Sequence, residues 1–141
     1  MQRLPLQGRR DVLFELTEHL PLDGAMERSA AVAGLRTQGF GLALDDAGCG
    51  FADLDTARVL RPDIAKLCIT VVRHAGLGTL LDADIAGSVA QLHQLGCRVL
   101  AEGVETQAQH DALCACGVEL AQGWLYGRPA AVDEVLPPGL A

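Results

Sequence analysis

TQGFGLALDD, residues 37–46, runs from a helix-like tail into Gly39, through a short apolar run, and ends on Asp45 and Asp46. Gly39 suits a helix C-terminal cap, where the backbone turns left-handed, and the apolar run behind it has the length of a strand. The same order returns in QLGCRVLAEG (94–103) with Gly96 and in ACGVELAQG (115–123) with Gly117. Two more apolar runs, VLFELTE (12–18) and DIAKLCI (63–69), complete the set. Strands are therefore expected near residues 12–17, 41–45, 63–69, 97–102 and 118–122. Helical spacing fills the intervals; the clearest case, Thr79 to Leu95, repeats Leu81, Ile85, Val89 and Leu92 on one face.

Strands that alternate with helices need crossover connections, which make a parallel sheet with all strand ends on one side. Glu15, Asp45, Lys66, Glu102 and Gln122 follow one another at intervals of 30, 21, 36 and 20 residues, one for each strand-helix unit. Period-two alternation puts Glu15 with Leu13, Asp45 with Ala43, Lys66 with Ile64 and Glu102 with Leu100, as the inward face of a barrel requires. The fold class read from this pattern is α/β, a partial (β/α) barrel of about five parallel strands with outer helices. A complete barrel of eight units needs about 250 residues, and this chain has 141.

Composition bounds the function. The chain carries 11 Lys+Arg against 18 Asp+Glu, a formal charge of −7, and half of its residues are hydrophobic. One folded domain, residues 1–141, is expected, and binding to nucleic-acid polymers is disfavoured because no basic run offsets the acidic balance. No apolar stretch approaches the ~20 residues of a membrane span, and the start MQRLPLQGRR has no signal-peptide core. A cytoplasmic protein without membrane contact is the expectation. Five cysteines without CxxC spacing suggest free, mostly buried thiols rather than disulfides or a zinc site. The four histidines have no ligand spacing and receive no role.

Glu15, Asp45 and Asp46 offer hard oxygen donors from neighbouring strand ends, which suits Mg2+ or Mn2+. Taken alone, Asp45 and Asp46 are better read as caps of the AGCG turn that follows, a common use of Asp before glycine. Lys66 shifts that balance, since an ammonium inside an apolar strand requires a carboxylate or an anionic ligand beside it. Glu102 or a phosphate would meet that need.

FELTE, LDDAGCGF, PDIAK, AEGVET and QGWLYGRP occur in that order. Together they resemble the later motifs of the EAL domain, a (β/α)-barrel family that hydrolyses the bacterial second messenger cyclic di-GMP to the linear dinucleotide with Mg2+ or Mn2+. The resemblance runs from about Leu13 to Pro129. It implies metal ligation by Glu15 and Asp45, with Asp46 at a second metal. It further implies a water- or phosphate-holding Lys66, a metal-binding or basic Glu102, and Gln122 lining the same site. Glu18 would anchor the loop after Asp46, and Glu105 with Gly127 to Pro129 would lie near a guanine pocket.

This sequence also departs from the family. The Glu-Ala-Leu triplet and the asparagine ligand of the next early strand are absent. Ala47 and Cys49 replace a phenylalanine and a threonine, and Cys68 stands where an acid is expected. Since losing even a residue behind a metal ligand costs ~10- to 100-fold in affinity, hydrolysis by this chain alone is not expected. The readings are a truncated, inactive EAL domain, a degenerate module that binds cyclic di-GMP or serves as a scaffold, and an enzyme completed by a partner. An open sheet further implies self-association or pairing with the missing N-terminal barrel half.

Overall fold

Three helices of the chain end in the same way. Phe40 N–H reaches back to Leu35 O at 3.2 Å, Cys97 N–H to Leu92 O at 3.1 Å, and Val118 N–H to Leu113 O at 3.1 Å. Each bond spans a glycine with positive φ, Gly39 at 85°, Gly96 at 83° and Gly117 at 91°, so the Cβ-free residue lets the chain reverse and enter a strand at once. The expected helix-glycine-strand unit is therefore real. The computed structural model describes residues 12–17, 25–47, 51–78 and 80–131.

The elements in chain order are β1 (Leu13–Leu16), α1 (Ala25–Thr37), β2 (Gly41–Ala47), α2 (Phe51–Leu60) and β3 (Ile64–Leu67). They continue with α3 (Ile69–His74), α4 (Leu80–Gln94), β4 (Arg98–Glu102), α5 (Gln107–Ala115) and β5 (Leu120–Gln122). The strands form one sheet in sequence order, β1-β2-β3-β4-β5, and each neighbouring pair is parallel. This is the expected partial-barrel order.

Each strand differs from the sequence reading by one or two residues at an end, and for β3 and β2 the cause is visible. β3 stops at Leu67 because Cys68 caps α3, its carbonyl accepting Val71 N–H at 3.0 Å and Val72 N–H at 3.2 Å. β2 runs on to Ala47 because its pairing with β3 shifts between Leu44 and Ala47. Cys68 also corrects the expectation of free thiols, for it is disulfide-bonded, whereas Cys97, Cys114 and Cys116 are free. Cys114 is exposed and Cys116 half-buried, so only Cys97 of these three is buried as expected.

The core lies between the sheet and its helices. Ala65, Leu67, Val99 and Ala101 of the central strands pack with Ile85, Val89 and Leu92 of α4 and with Leu113 of α5. Ile85, Val89 and Leu92 are the expected stripe, 6%, 1% and 0% exposed; the side chain of Leu81 lies outside the described residues. At the opposite end of the strands from the carboxylates, Asp63 stitches three strands: its Oδ2 accepts Leu42 N–H at 2.8 Å and its carbonyl accepts Arg98 N–H at 3.0 Å. At the other end, Gly123 is required by contact, since a Cβ there would stand 2.2 Å from Val104 O. That close approach lets Val104 N–H bond Gln122 O and fold the chain back over the end of β5.

Candidate functional site

Alternation in β4 shows how the strands divide their side chains: Val99 and Ala101 are fully buried under the helices, while Leu100 and Glu102 point the other way and remain partly open. Register then sets the heights of the inward residues. Glu15 pairs with Ala43, Lys66 with Leu100, and Glu102 with Gln122. Asp45 lies two residues beyond Glu15's partner, and Glu102 two beyond that of Lys66. The inward residues thus climb from β1 to β5, and the long Lys66 side chain stands in the middle of them.

The β2–β3 irregularity sharpens this arrangement. Leu44 pairs with Ala65 and Ala47 with Leu67, so Asp45 and Asp46 together face the single residue Lys66. An extra residue of this kind re-aims side chains beside functional sites. Asp46 absorbs the kink with φ of 51°, a left-handed conformation that aspartate tolerates better than most residues.

Lys66 is the buried charged residue of the described structure, 8% exposed. Its Nζ lies 3.0 Å from Glu15 Oε1, 3.0 Å from Asp45 Oδ1 and 3.0 Å from Glu102 Oε1. The Gln122 side-chain amide donates to the same Glu102 oxygen. Burial works against the ammonium, but the three carboxylates outweigh it and hold its pKa above the ordinary lysine value. Burial likewise works against ionised Asp45, and Lys66 together with the Asp46 N–H reverses this, leaving its pKa below the usual aspartate value.

Five of the expected site residues, Glu15, Asp45, Lys66, Glu102 and Gln122, are thus gathered in one connected cluster. Asp46 stands at its edge. Glu105 lies beyond the strand end, exposed, with its N–H bonded to Gln109 Oε1 at 2.9 Å. Glu18 lies outside the described residues. Next to Gln122 opens a cavity of about 520 Å3, lined among others by Gly103, Gly123 and Trp124, with the Arg128 guanidinium 4.5 Å above the Trp124 ring.

The donor chemistry of the cluster fits a divalent cation. Three acceptor-only carboxylates face one ammonium, an excess of negative charge, and buried Asp45 Oδ1 has no hydrogen bond of its own beyond that ion pair. As they stand, the carboxylates are drawn to the ammonium, and among the described residues no three acidic, His or Cys side chains form a ready metal-holding group.

Sequence reasoning missed two contacts elsewhere. His93 Nε2 lies 3.1 Å from Glu119 Oε2, which also accepts Val99 N–H at 2.8 Å. His110 stands between Tyr126 and Cys114. The His93 and Tyr126 pairings are long-range, and no local spacing announces them. Only the four-residue step from His110 to Cys114 on one helix was readable in advance.

Residues 5–129 match the sequence profile of the EAL domain. The chain is 36% identical over 124 residues to the probable cyclic di-GMP phosphodiesterase PdeA of Escherichia coli, covering 87% of this chain and 17% of that protein. Among solved structures, the EAL domain of Mycobacterium smegmatis DcpA superposes with a TM-score of 0.82 at 28% identity, over 90% of this chain and 57% of that one. BlrP1 of Klebsiella pneumoniae, solved as a manganese and cyclic di-GMP complex, is 33% identical with a TM-score of 0.78, over 86% of this chain and 31% of that one. The chain therefore spans about half of a solved EAL domain and a smaller share of longer relatives. No helix among the described residues is long and apolar enough to cross a membrane.

Proposed function

The chain belongs to the EAL-domain family, and from that premise we propose that its inward face is the metal- and phosphate-handling part of a cyclic di-GMP phosphodiesterase site in bacterial second-messenger signalling. The observation that carries this reading is the single buried ammonium of Lys66, 3.0 Å from carboxylates of three different strands. Glu15 and Asp45 would hold Mg2+ or Mn2+, with Asp46 reaching a second ion. Such ions, when bound, offset phosphate charge and lower the pKa of a bound water.

The protein's own groups divide the remaining work. Lys66 keeps its proton, so it acts as a fixed positive donor to a phosphate oxygen or to the attacking water and not as a base. Glu102, bonded to Gln122 and Lys66, would contact the metal or receive a proton from that water. Arg128 stacked on Trp124 beside Gln122 presents a cationic aromatic surface suited to a guanine ring. By the family resemblance Glu18 would anchor the loop after Asp46, and Glu105 would lie near the guanine pocket.

Five strands do not close a barrel, which takes eight. By itself the 141-residue chain is therefore expected to give no enzyme-like turnover of cyclic di-GMP with Mn2+ or Mg2+ when products are resolved by chromatography. Robust turnover abolished by Glu102→Ala would overturn that expectation. For the site itself the test is thermal. Mn2+ should raise the melting temperature of Lys66→Met, whose carboxylates have lost their ammonium, and Asp45→Asn in that background should remove the effect. An Mn2+ effect that survives Asp45→Asn would place the cation elsewhere and sink the reading.

A further inference from the structure

The cationic aromatic surface beside Gln122 is made by Trp124 and Arg128, and Tyr126 stands midway between them in the chain. All three line the cavity of about 520 Å3. Leu125 ties this segment down from within, its N–H bonding Val104 O at 3.1 Å and its side chain packing against the core. Tyr126 N–H then bonds Gly123 O inside the turn, and among the described residues the backbone from Gly127 onward makes no hydrogen bond. So short a tether does not by itself keep a guanidinium over an indole, because an exposed arginine gains little from that contact and loses side-chain freedom to make it. Yet the guanidinium lies 4.5 Å from the ring centre.

The remaining tie is the Tyr126 side chain. Its Oη lies 2.7 Å from His110 Nδ1, and the two rings meet edge to face at 5.9 Å. Either ring tautomer makes this bond, since Nδ1–H can donate to the phenol oxygen and bare Nδ1 can accept the phenol O–H. His110 in turn stands on a fixed element. α5 opens with a capping box in which Thr106 Oγ1 accepts Gln109 N–H and Gln109 Oε1 accepts Thr106 N–H. One turn on from His110, Leu113 anchors the helix in the core at 2% exposure. Tyr126 itself is half exposed, so the imidazole, more than burial, holds the phenol in place.

We propose that His110 and Tyr126 form a strut that fixes the Trp124–Arg128 surface in its stacked geometry, which makes both of them positioning residues for a flat ring bound there. The ligand half of this inference rests on the guanine reading above; the strut itself does not. A surface ordered before the ligand arrives avoids the entropy cost of ordering it on binding, and affinity rises without any added contact.

Trp124 is the only tryptophan of the chain, so in the intact protein its emission and nanosecond anisotropy decay report on this surface. Arg128→Met should shift the parent's emission and enlarge the local motion of the indole. Tyr126→Phe removes one oxygen from a half-exposed ring and leaves the fold in place. It should enlarge the local motion too, and in that background Arg128→Met should keep roughly half its parental effect or less, because contacts that depend on one another are not additive. His110→Ala should match Tyr126→Phe, and combining the two should add little. Gln109→Ala opens the capping box of the same helix without touching Tyr126, so it should lower the melting temperature and leave the anisotropy decay at its parental value.

Parental anisotropy in both Tyr126→Phe and His110→Ala, an Arg128→Met effect of full size in Tyr126→Phe, or an equal loosening in Gln109→Ala would each overturn the strut. Should His110→Ala fail to fold, Tyr126→Phe decides alone. Guanosine monophosphate at millimolar concentration tests the ligand separately. Quenching of Trp124 should need roughly threefold more nucleotide in Tyr126→Phe than in the parent, and equal concentrations would overturn the positioning role. No quenching in either, with the anisotropy results as expected, would remove the guanine reading and leave the strut standing.

Discussion

On the helix-covered face of the sheet, Leu42, Leu44, Ala65, Leu67, Val99 and Ala101 are at most 3% exposed. The inward face of the same strands carries Glu15, Asp45, Lys66 and Glu102, and the edge residue Leu13 on that face is 45% exposed. Strand alternation makes both faces from one backbone, so the contrast comes from what lies opposite each. Helices remove one face from water, and burial there stabilises in proportion to apolar area. The inward face gathers like charges around a single ammonium, an arrangement that adds little to stability and suits charge recognition. Apolar burial and the charged cluster are thus separated across a thickness of one sheet.

The largest effect belongs to the covered face. Leu67→Ala, in the main core cluster at 1% exposure, should lose about 2–5 kcal/mol in urea unfolding. A loss as small as that of a surface change would mean the helices do not pack on this face as described. On the inward face, Lys66→Met leaves three carboxylates facing one another. Breaking a fully buried pair costs ~3–5 kcal/mol, and because Glu15 is half open to solvent the expectation here is about 2 kcal/mol. The loss should shrink as pH falls and the carboxylates protonate; a loss independent of pH would indicate packing instead of charge.

Acid titration compares the two faces directly. Asp45 faces inward and Glu119 lies on the outer side, and both have lowered pKa values, the first overcoming burial through Lys66 and the second through Val99 N–H and His93. A carboxyl depressed in the folded state contributes stability that is present above its unfolded pKa and lost as pH falls through the folded one. Unfolding midpoints should therefore drop below about pH 4. Asp45→Asn and Glu119→Gln should each flatten part of that drop, and a profile unchanged in both variants would remove the assignment. The smallest effect is expected from Asp55→Ala, which breaks an exposed pair with Arg58 at 2.6 Å and should change stability by less than about 0.5 kcal/mol.

Much of this architecture was legible in residue order. The glycine caps at Gly39, Gly96 and Gly117, the α4 stripe, and one polar residue at the inward end of each strand all follow from local rules. Where the reading erred, the structure shows what stands there instead. DIAKLCI reads as strand through Ile69, yet the carbonyl of Cys68 starts α3. Cys68 reads as a buried thiol, yet it is disulfide-bonded.

By itself, the sequence determined which residues form strands, which face each occupies and which side chains carry charge inward, because backbone preferences and alternation act within a few neighbouring residues. Only the tertiary structure decided that Lys66 meets three carboxylates instead of one, since that depends on the stagger between strands and on the irregularity that sets both Asp45 and Asp46 opposite it. Only the tertiary structure, too, joined Tyr126 to His110 and Cys114, because β5 and the turn after it bring the phenol back to α5. Register and chain return are properties of whole elements packed together, and a local window of sequence does not contain them.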